Sequence, residues 1–395
     1  MRWHARAPAF ALMVVTAGGC ADLAGIPDRF YGGGGGAADG APSGDAQPPG
    51  DGQATPDGGF DEDGGGDPSG PFFPPDAGCP ACIDSGLCML ACNQNHPSSI
   101  AVDATHVYWT NAGDSVTSFV GGSVMRVDKS GSNLTVLTGP VMTRPTSAVA
   151  SAGCVYWYET SPGIIRKSCS GALSTVISSV GQAISSISVA GSTLLWSTGS
   201  GSGDTISKCT LPGCSPTSFV MVNLFRPYAA TVDPAGSNVY WLESSSGFGN
   251  VLRCPVTGCT TPLTVGVTAA PPLSLAVNAS EDTFFTSGTV GQSDGQISDV
   301  LFVVGTQTVE ARNRPTPLGI ASDNGVIYWA EQGSGPDGKV VGCTAQFGAL
   351  CDPIRVLAAR LSYPAAVAID STRVYWINAG APNTPSSGSL MSALR

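Results

Sequence analysis

Residues 97–128, PSSIAVDATHVYWTNAGDSVTSFVGGSVMRVD, carry the pattern that decides the fold. Pro97 opens a short apolar segment through Ile100, Ala101 and Val102. A polar turn leads to a second segment holding Val107, Tyr108 and Trp109. A Gly-rich stretch precedes a third at Ser123 to Val127, and a fourth follows at Leu134 to Leu137. Short apolar runs separated by Gly, Asp and Ser punctuation read as four antiparallel strands joined by hairpins.

The pattern recurs down the chain. The aromatic pair appears as Tyr108-Trp109, Tyr156-Trp157, Leu195-Trp196, Tyr240-Trp241, Phe284-Phe285, Tyr328-Trp329 and Tyr375-Trp376, at intervals of 48, 39, 45, 44, 44 and 47 residues. That period suits a four-stranded propeller blade. The opening proline recurs at Pro145, Pro227, Pro272, Pro315 and Pro364, and only the third unit lacks it. Alternation along a strand sends the two members of each pair to opposite faces, which makes them inter-blade core rather than a ligand platform. The last unit stops after a strand near Ser389 to Leu394, so its fourth strand is missing. Leu87 to Cys92, just ahead of Pro97, stands where every other unit has one. The expectation is an all-β, seven-bladed β-propeller of four-stranded antiparallel blades over 97–395, closed by an N-terminal strand within 79–96. Six blades with an irregular insert is the alternative, because Leu195-Trp196 and Phe284-Phe285 depart most from the pattern.

The units resemble YWTD-type and NHL-like propeller repeats, with AVDATHVYWTN followed by GSVMRVDKSG as the closest passage. In YWTD receptors the propeller has six blades, and an Asp ends the motif. Here that place holds Asn111, Glu159, Thr198, Glu243, Ser287, Glu331 and Asn378. The resemblance implies a propeller fold and carries no ligand with it.

The first twenty residues, MRWHARAPAFALMVVTAGGC, place Arg2 and Arg6 before a short apolar run, as a secretory signal does. Ala17, Gly18 and Gly19 ahead of Cys20 resemble the lipobox of bacterial lipoproteins, which implies acylation of Cys20 and a membrane anchor; ordinary signal cleavage is the alternative. Residues 21–78 are rich in Gly, Pro and Asp, too poor in large apolar groups to fold, and read as a flexible tether. The expected location is exported: outer membrane or cell surface, otherwise periplasmic or extracellular.

Thirteen cysteines less Cys20 leave an even twelve, as a disulfide framework in an exported chain requires. Cys209 and Cys214, Cys254 and Cys259, and Cys343 and Cys351 each bracket the turn between a third and a fourth strand. Cys154 and Cys169 are placed symmetrically about a hairpin at Ser161-Pro162. Cys79, Cys82, Cys88 and Cys92 read as two further disulfides, with zinc or a redox role as alternatives.

The net charge of -11 lies mostly in the tether: residues 21–78 hold eleven acids against Arg29, while residues 79–395 hold 18 acids against 15 basic residues. A nearly balanced body argues against nucleic acid. Only His96 and His106 follow the signal, and no nucleophile elbow, zinc-protease, EF-hand or phosphate-loop motif is found, so no cofactor and no metal are expected. One constellation depends on the repeat register. His96, Arg144, Arg226 and Arg314 each precede an opening proline, which would gather them at the channel mouth to bind a carboxylate or phosphate. The alternative is that each Arg pairs with a carboxylate such as Asp103 or Asp233. The sequence therefore points to a tethered, non-catalytic binding or scaffolding propeller with a protein, glycan or small anionic partner; a lyase or hydrolase at the mouth is the rival.

Overall fold

A computed structural model describes Pro71 and residues 79–114, 119, 121–138, 142–199, 204–220, 224–245, 248–333 and 335–395. Cys20 and the signal and tether assigned to 1–20 and 21–78 lie outside these residues, Pro71 excepted. Seven four-stranded antiparallel sheets form the ring. Blades 1 to 6 occupy residues 97–136, 143–177, 184–220, 228–268, 272–314 and 317–361. Blade 7 combines Pro364–Ile369, Arg373–Asn378 and Gly388–Leu394 with the N-terminal strand Cys88–Gln94, which pairs antiparallel through Cys88↔Ser392 and Gln94↔Gly388. The expected closure holds, and the six-bladed alternative does not. A short strand, Ala81–Cys82, adds to the outside of the closing one. Closure leaves Gly388–Leu394 with a partner on each side, so the last blade does not present its third strand as an open edge.

The aromatic pairs build the core. Each of the seven hydrophobic clusters combines the second member of one blade's pair with the first member of the preceding blade's. Trp157 packs with Tyr108, Trp196 with Tyr156, Trp241 with Leu195, and Phe285 with Tyr240. Trp329 packs with Phe284, Trp376 with Tyr328, and Trp109 with Tyr375 across the closure. Period-two alternation is the cause: adjacent residues of one strand face opposite interfaces. Polar contacts reinforce the last junctions, with Lys129 of blade 1 on Asp370 of blade 7 (2.7 Å) and Arg395 on Asp323 of blade 6 (2.7 Å).

Near the axis the chain is crowded. Every inner strand has a register shift just after its start, and the residue there is small: Ser99, Ser147, Ser186, Ala229, Ser274, Gly319 and Ala366. A Cβ at Gly319 would come within 2.6 Å of the Ala366 Cα. At three of the four serines the hydroxyl reaches the next blade: Ser99 accepts from the Ala148 N–H and Ser186 from the Ala230 N–H, both at 2.8 Å, and Ser274 from the Ile320 N–H at 3.4 Å. Inner-strand amides thus find partners although no fifth strand is available to them.

A second device recurs on the face where one blade passes to the next. Gly122, Gly249, Gly295, Gly338 and Gly388, at the start of third strands, lie so close to Pro145, Pro272, Pro317, Pro364 and Pro97 that any Cβ would overlap the proline ring. The opening proline of the sixth unit is therefore Pro317, not Pro315: the inner strand runs Pro317–Asp323. Its sequence spacing of Pro315 from the aromatic pair was acceptable, but the glycine contact selects Pro317.

All twelve described cysteines are paired as Cys79–Cys92, Cys82–Cys88, Cys154–Cys169, Cys209–Cys214, Cys254–Cys259 and Cys343–Cys351. The N-terminal four form two disulfides, the expected pairing, which leaves no free thiolate among them to hold zinc. Cys154 and Cys169 are direct cross-strand partners.

Removing one aromatic anchor opens a cavity at one interface of a ring whose interfaces are in series. Trp329→Ala is expected to cost about 3–5 kcal/mol, read by chemical denaturation, and to do so in a single transition. Asp299 and Glu310 in blade 5 are fully buried beside each other, and burial pushes both carboxyls up, with Asp282 adding to the rise at Asp299. Glu310 also accepts the Gln346 and Phe347 amides of blade 6 at 2.9 and 3.1 Å. Raised folded-state values mean that the unfolded chain loses these protons first. Stability should therefore fall as pH rises from the ordinary carboxylate range, about 4, toward the raised values. In Asp299→Asn, thermal melts across that window should show a shallower decline than in the parent.

Candidate functional site at the channel mouth

The residue before an opening proline is normally pushed to extended backbone. Here it turns left-handed: φ is 53° at His96, 47° at Arg144, 48° at Arg226, 45° at Thr316 and 56° at Tyr363. Five junctions share this bend, which lifts the chain from the outer strand of one blade to the inner strand of the next. Three of the four predicted residues, His96, Arg144 and Arg226, occupy it. Arg314 does not: with Pro317 as the opening residue, the register position belongs to Thr316, and Arg314 ends the outer strand Gln307–Arg314 of blade 5.

The four residues do not share a partner. His96 is buried, with its Nδ1 3.2 Å from the Asn95 Oδ1. Burial pulls its imidazole below the ordinary value, against the opposing charge of Asp114 and the Gly113 backbone contact. Arg144 lays its guanidinium over the Phe119 ring, 4.6 Å from the centroid, a cation–π contact. Arg226 is exposed, and its backbone N–H donates to the Asp204 carboxylate at 3.1 Å. The Arg314 Nε donates to the Glu331 Oε1 at 2.6 Å, and the same oxygen accepts from the Trp329 indole at 2.8 Å. For Arg314 the pairing alternative is the one observed, with Glu331 as partner rather than Asp103 or Asp233.

The residues two places after each Trp form a ring of their own. Glu243 accepts from the Trp241 Nε1 at 3.1 Å, and Glu159 takes the Arg166 Nε at 2.6 Å. In blade 1 the closing strand supplies the acceptor: the Gln94 Oε1 receives both the Trp109 Nε1 (2.9 Å) and the Asn111 Nδ2 (3.0 Å). At Glu243 and Glu331 the carboxylate, longer than the Asp of the YWTD motif, reaches back to the indole on its own strand face.

One grouping was not singled out by the motifs. Register places Asp204 of blade 3 at the position where five other blades have the glycine, and it is nearly buried beside Arg226. Glu243 of blade 4 is buried close by; burial pushes its carboxyl up, and Asp204 adds to the rise. Phe225, next to Arg226 in sequence, bonds Glu243 through its backbone and is 52% exposed. Two neighbouring acids, one with a raised pKa, beside a cation and an exposed ring can hold a proton and orient an anion. The signal available in the sequence was the substitution of Asp for Gly at one register position, legible only once strand pairing is known. Among the described residues no group of three or more His, Cys, Asp or Glu is arranged to hold a metal ion.

No protein-family model matches the chain, and no curated protein sequence does. Among solved structures it is similar to puromycin hydrolase, with a TM-score of 0.53 and 11% identity over 73% of this chain and 50% of that one. A mutant of puromycin hydrolase complexed with PGG gives 0.55 and 11%, over 72% and 50%. A nidogen/laminin complex gives 0.46 and 14%, over 60% of this chain and 90% of that one. The chain spans half the length of the puromycin hydrolase chains it matches. At such identities the likeness shows the fold alone, and the class established is a disulfide-stapled, seven-bladed β-propeller.

If Arg314 is a structural brace, Arg314→Ala should lower stability by about 1.5–3 kcal/mol, because it strips a charged hydrogen bond from buried Glu331. A double-mutant cycle with Glu331→Gln should return most of that loss as coupling.

Proposed function

We propose that this chain is an exported, membrane-tethered binding or scaffolding propeller of a bacterial-type cell envelope, acylated at Cys20 and without catalysis of its own. The observation that carries the reading is the covalent clasp where the tether meets the ring. Cys79–Cys92 and Cys82–Cys88 bind the outermost strands of blade 7 to each other. The Pro71 carbonyl accepts the Ala359 N–H of the outer strand of blade 6 at 2.8 Å, which puts this point of attachment at the rim of the ring. A tether of 21–78 spans about 40 Å root-mean-square as a Gly-rich coil, enough to lift the ring off a lipid surface. Six disulfides fit an oxidising compartment. Exposed Arg226 and Arg144 on Phe119 favour an anionic group on a protein, glycan or small-molecule partner at the mouth.

A second reading, a hydrolase or lyase at the mouth, is favoured by Glu243 and Asp204. An enzyme there needs a proton donor beside the cationic groups, and a carboxyl of raised pKa supplies one.

Expression of the full chain in a diderm bacterial host with an alkyne-palmitate label tests the first reading. The account expects a labelled, membrane-fractionating protein, and a Cys20→Ser form that is unlabelled. An unlabelled parent would overturn the anchor. Turnover of chromogenic esters or glycosides that vanishes in Glu243→Gln would replace the binding reading with the enzymatic one.

A further inference from the structure

The junction between blades 2 and 3 is unlike its neighbours. Blade 3 opens with Ile184 in place of proline. Gly163, at the glycine position of blade 2, has only the Tyr158 hydroxyl, at 3.9 Å, near its would-be Cβ. With that contact missing, a cleft of about 420 Å³ lies over the side of blade 3 that faces blade 2. Val180 and Pro216 give it an apolar lining, with an edge of the otherwise buried Trp196, and Gln182, Thr205 and Ser207 give it a polar one.

No lining residue carries a charge. The polar groups are hydroxyls and one amide; the Thr198 hydroxyl accepts the Thr205 N–H at 2.9 Å, and the contacts between hydroxyls are long. Thr205 and Ser207 hydroxyls are 3.4 Å apart, as are those of Thr198 and Thr205. Each can exchange such a long contact for a ligand hydroxyl. The walls are held. The Val180 N–H donates to the Gly163 carbonyl at 3.1 Å, and the Cys209–Cys214 disulfide pins the approach to Pro216. The volume falls within the range of small-molecule sites, about 300–1,000 Å³.

We propose that this cleft binds a neutral, hydroxyl-rich ligand, a sugar ring, with its C–H face toward Val180 and Pro216 and its hydroxyls on Gln182, Thr205 and Ser207. An uncharged lining does not offset the desolvation of an ionic ligand, whereas hydroxyls and an amide match alcohols in both donor and acceptor roles. The inference rests on the reading of the chain as a binding module, but not on the mouth or on the anchor. A free sugar and a residue within an envelope glycan share this chemistry.

The test is saturation-transfer NMR on the disulfide-intact chain. The probes are the methyl glycosides of glucose, galactose and N-acetylglucosamine, followed by tetrasaccharides of any sugar that binds. The expected result is saturable transfer from at least one glycoside, weakened about tenfold or more in both Gln182→Ala and Ser207→Ala. Those residues are exposed or half-exposed, so the fold should survive, as one-dimensional spectra would verify. Tighter binding of the tetrasaccharide would identify a polymeric glycan as the source; equal binding would identify a free sugar. No saturable transfer from any glycoside, or transfer unchanged in both variants, overturns the proposal. Anion binding that persists at Arg226 after such a failure would leave the binding module standing and remove only this site.

Discussion

Everything in this ring depends on one strand delivering two large side chains to two different interfaces. The aromatic pair does so in the second strand of a blade, and the next blade repeats it, so each interface receives a Trp-position ring from one side and a Tyr-position side chain, Leu195 in one case, from the other. No blade buries its aromatic surface alone, which is why the units are stable only as a closed set. The pairing of Trp109 with Tyr375 is the same contact as the other six, made between the beginning and the end of the propeller. Closure is thus the seventh instance of one repeated interaction.

That constraint organises the smaller features. Packing the second strands at this spacing brings the inner strands together near the axis, where only Ser, Ala or Gly fits at the register shift and serine hydroxyls bond the neighbouring amides. It also presses the third strand of one blade onto the opening proline of the next, where only glycine is tolerated. The two junctions that break the glycine–proline contact are the two where the candidate sites lie. Between blades 3 and 4, Asp204 takes the glycine place and binds the Arg226 amide. Between blades 2 and 3, an uncharged cleft opens beside Trp196. Function in a repeat protein is expected where the repeat is relaxed, because a fully satisfied interface has no polar group to spare.

The fold was largely legible because its signals are local and redundant: aromatic pair, small inner strand, missing final strand and a spare N-terminal one. The disulfides could be read for the same reason, since Cys209 and Cys214 or Cys154 and Cys169 are close in sequence across a turn. The candidate site was read less well. Pro315 and Pro317 both satisfy the spacing, and choosing between them needs the contact with Gly295, a neighbour in space but not in motif. Arg314 was drawn to the mouth by that ambiguity. Asp204 and Glu243 went unassigned because their nearness depends on which blade lies beside which, and the cleft at Trp196 because a missing proline in the third unit reads as an irregularity until the interface it would have filled is seen.

The most direct measurement of the account is a comparison of residues 79–395 with residues 97–395 by denaturant unfolding and sedimentation. The account predicts a single steep transition and a monomer for the longer chain. For the shorter one it predicts a marked loss of stability and self-association, because the edge of Gly388–Leu394 and the indole of Trp109 lose their partners in Cys88–Gln94. A shorter chain that unfolds at the same denaturant concentration and stays monomeric would contradict it, and would mean that the ring does not need its N-terminal strand.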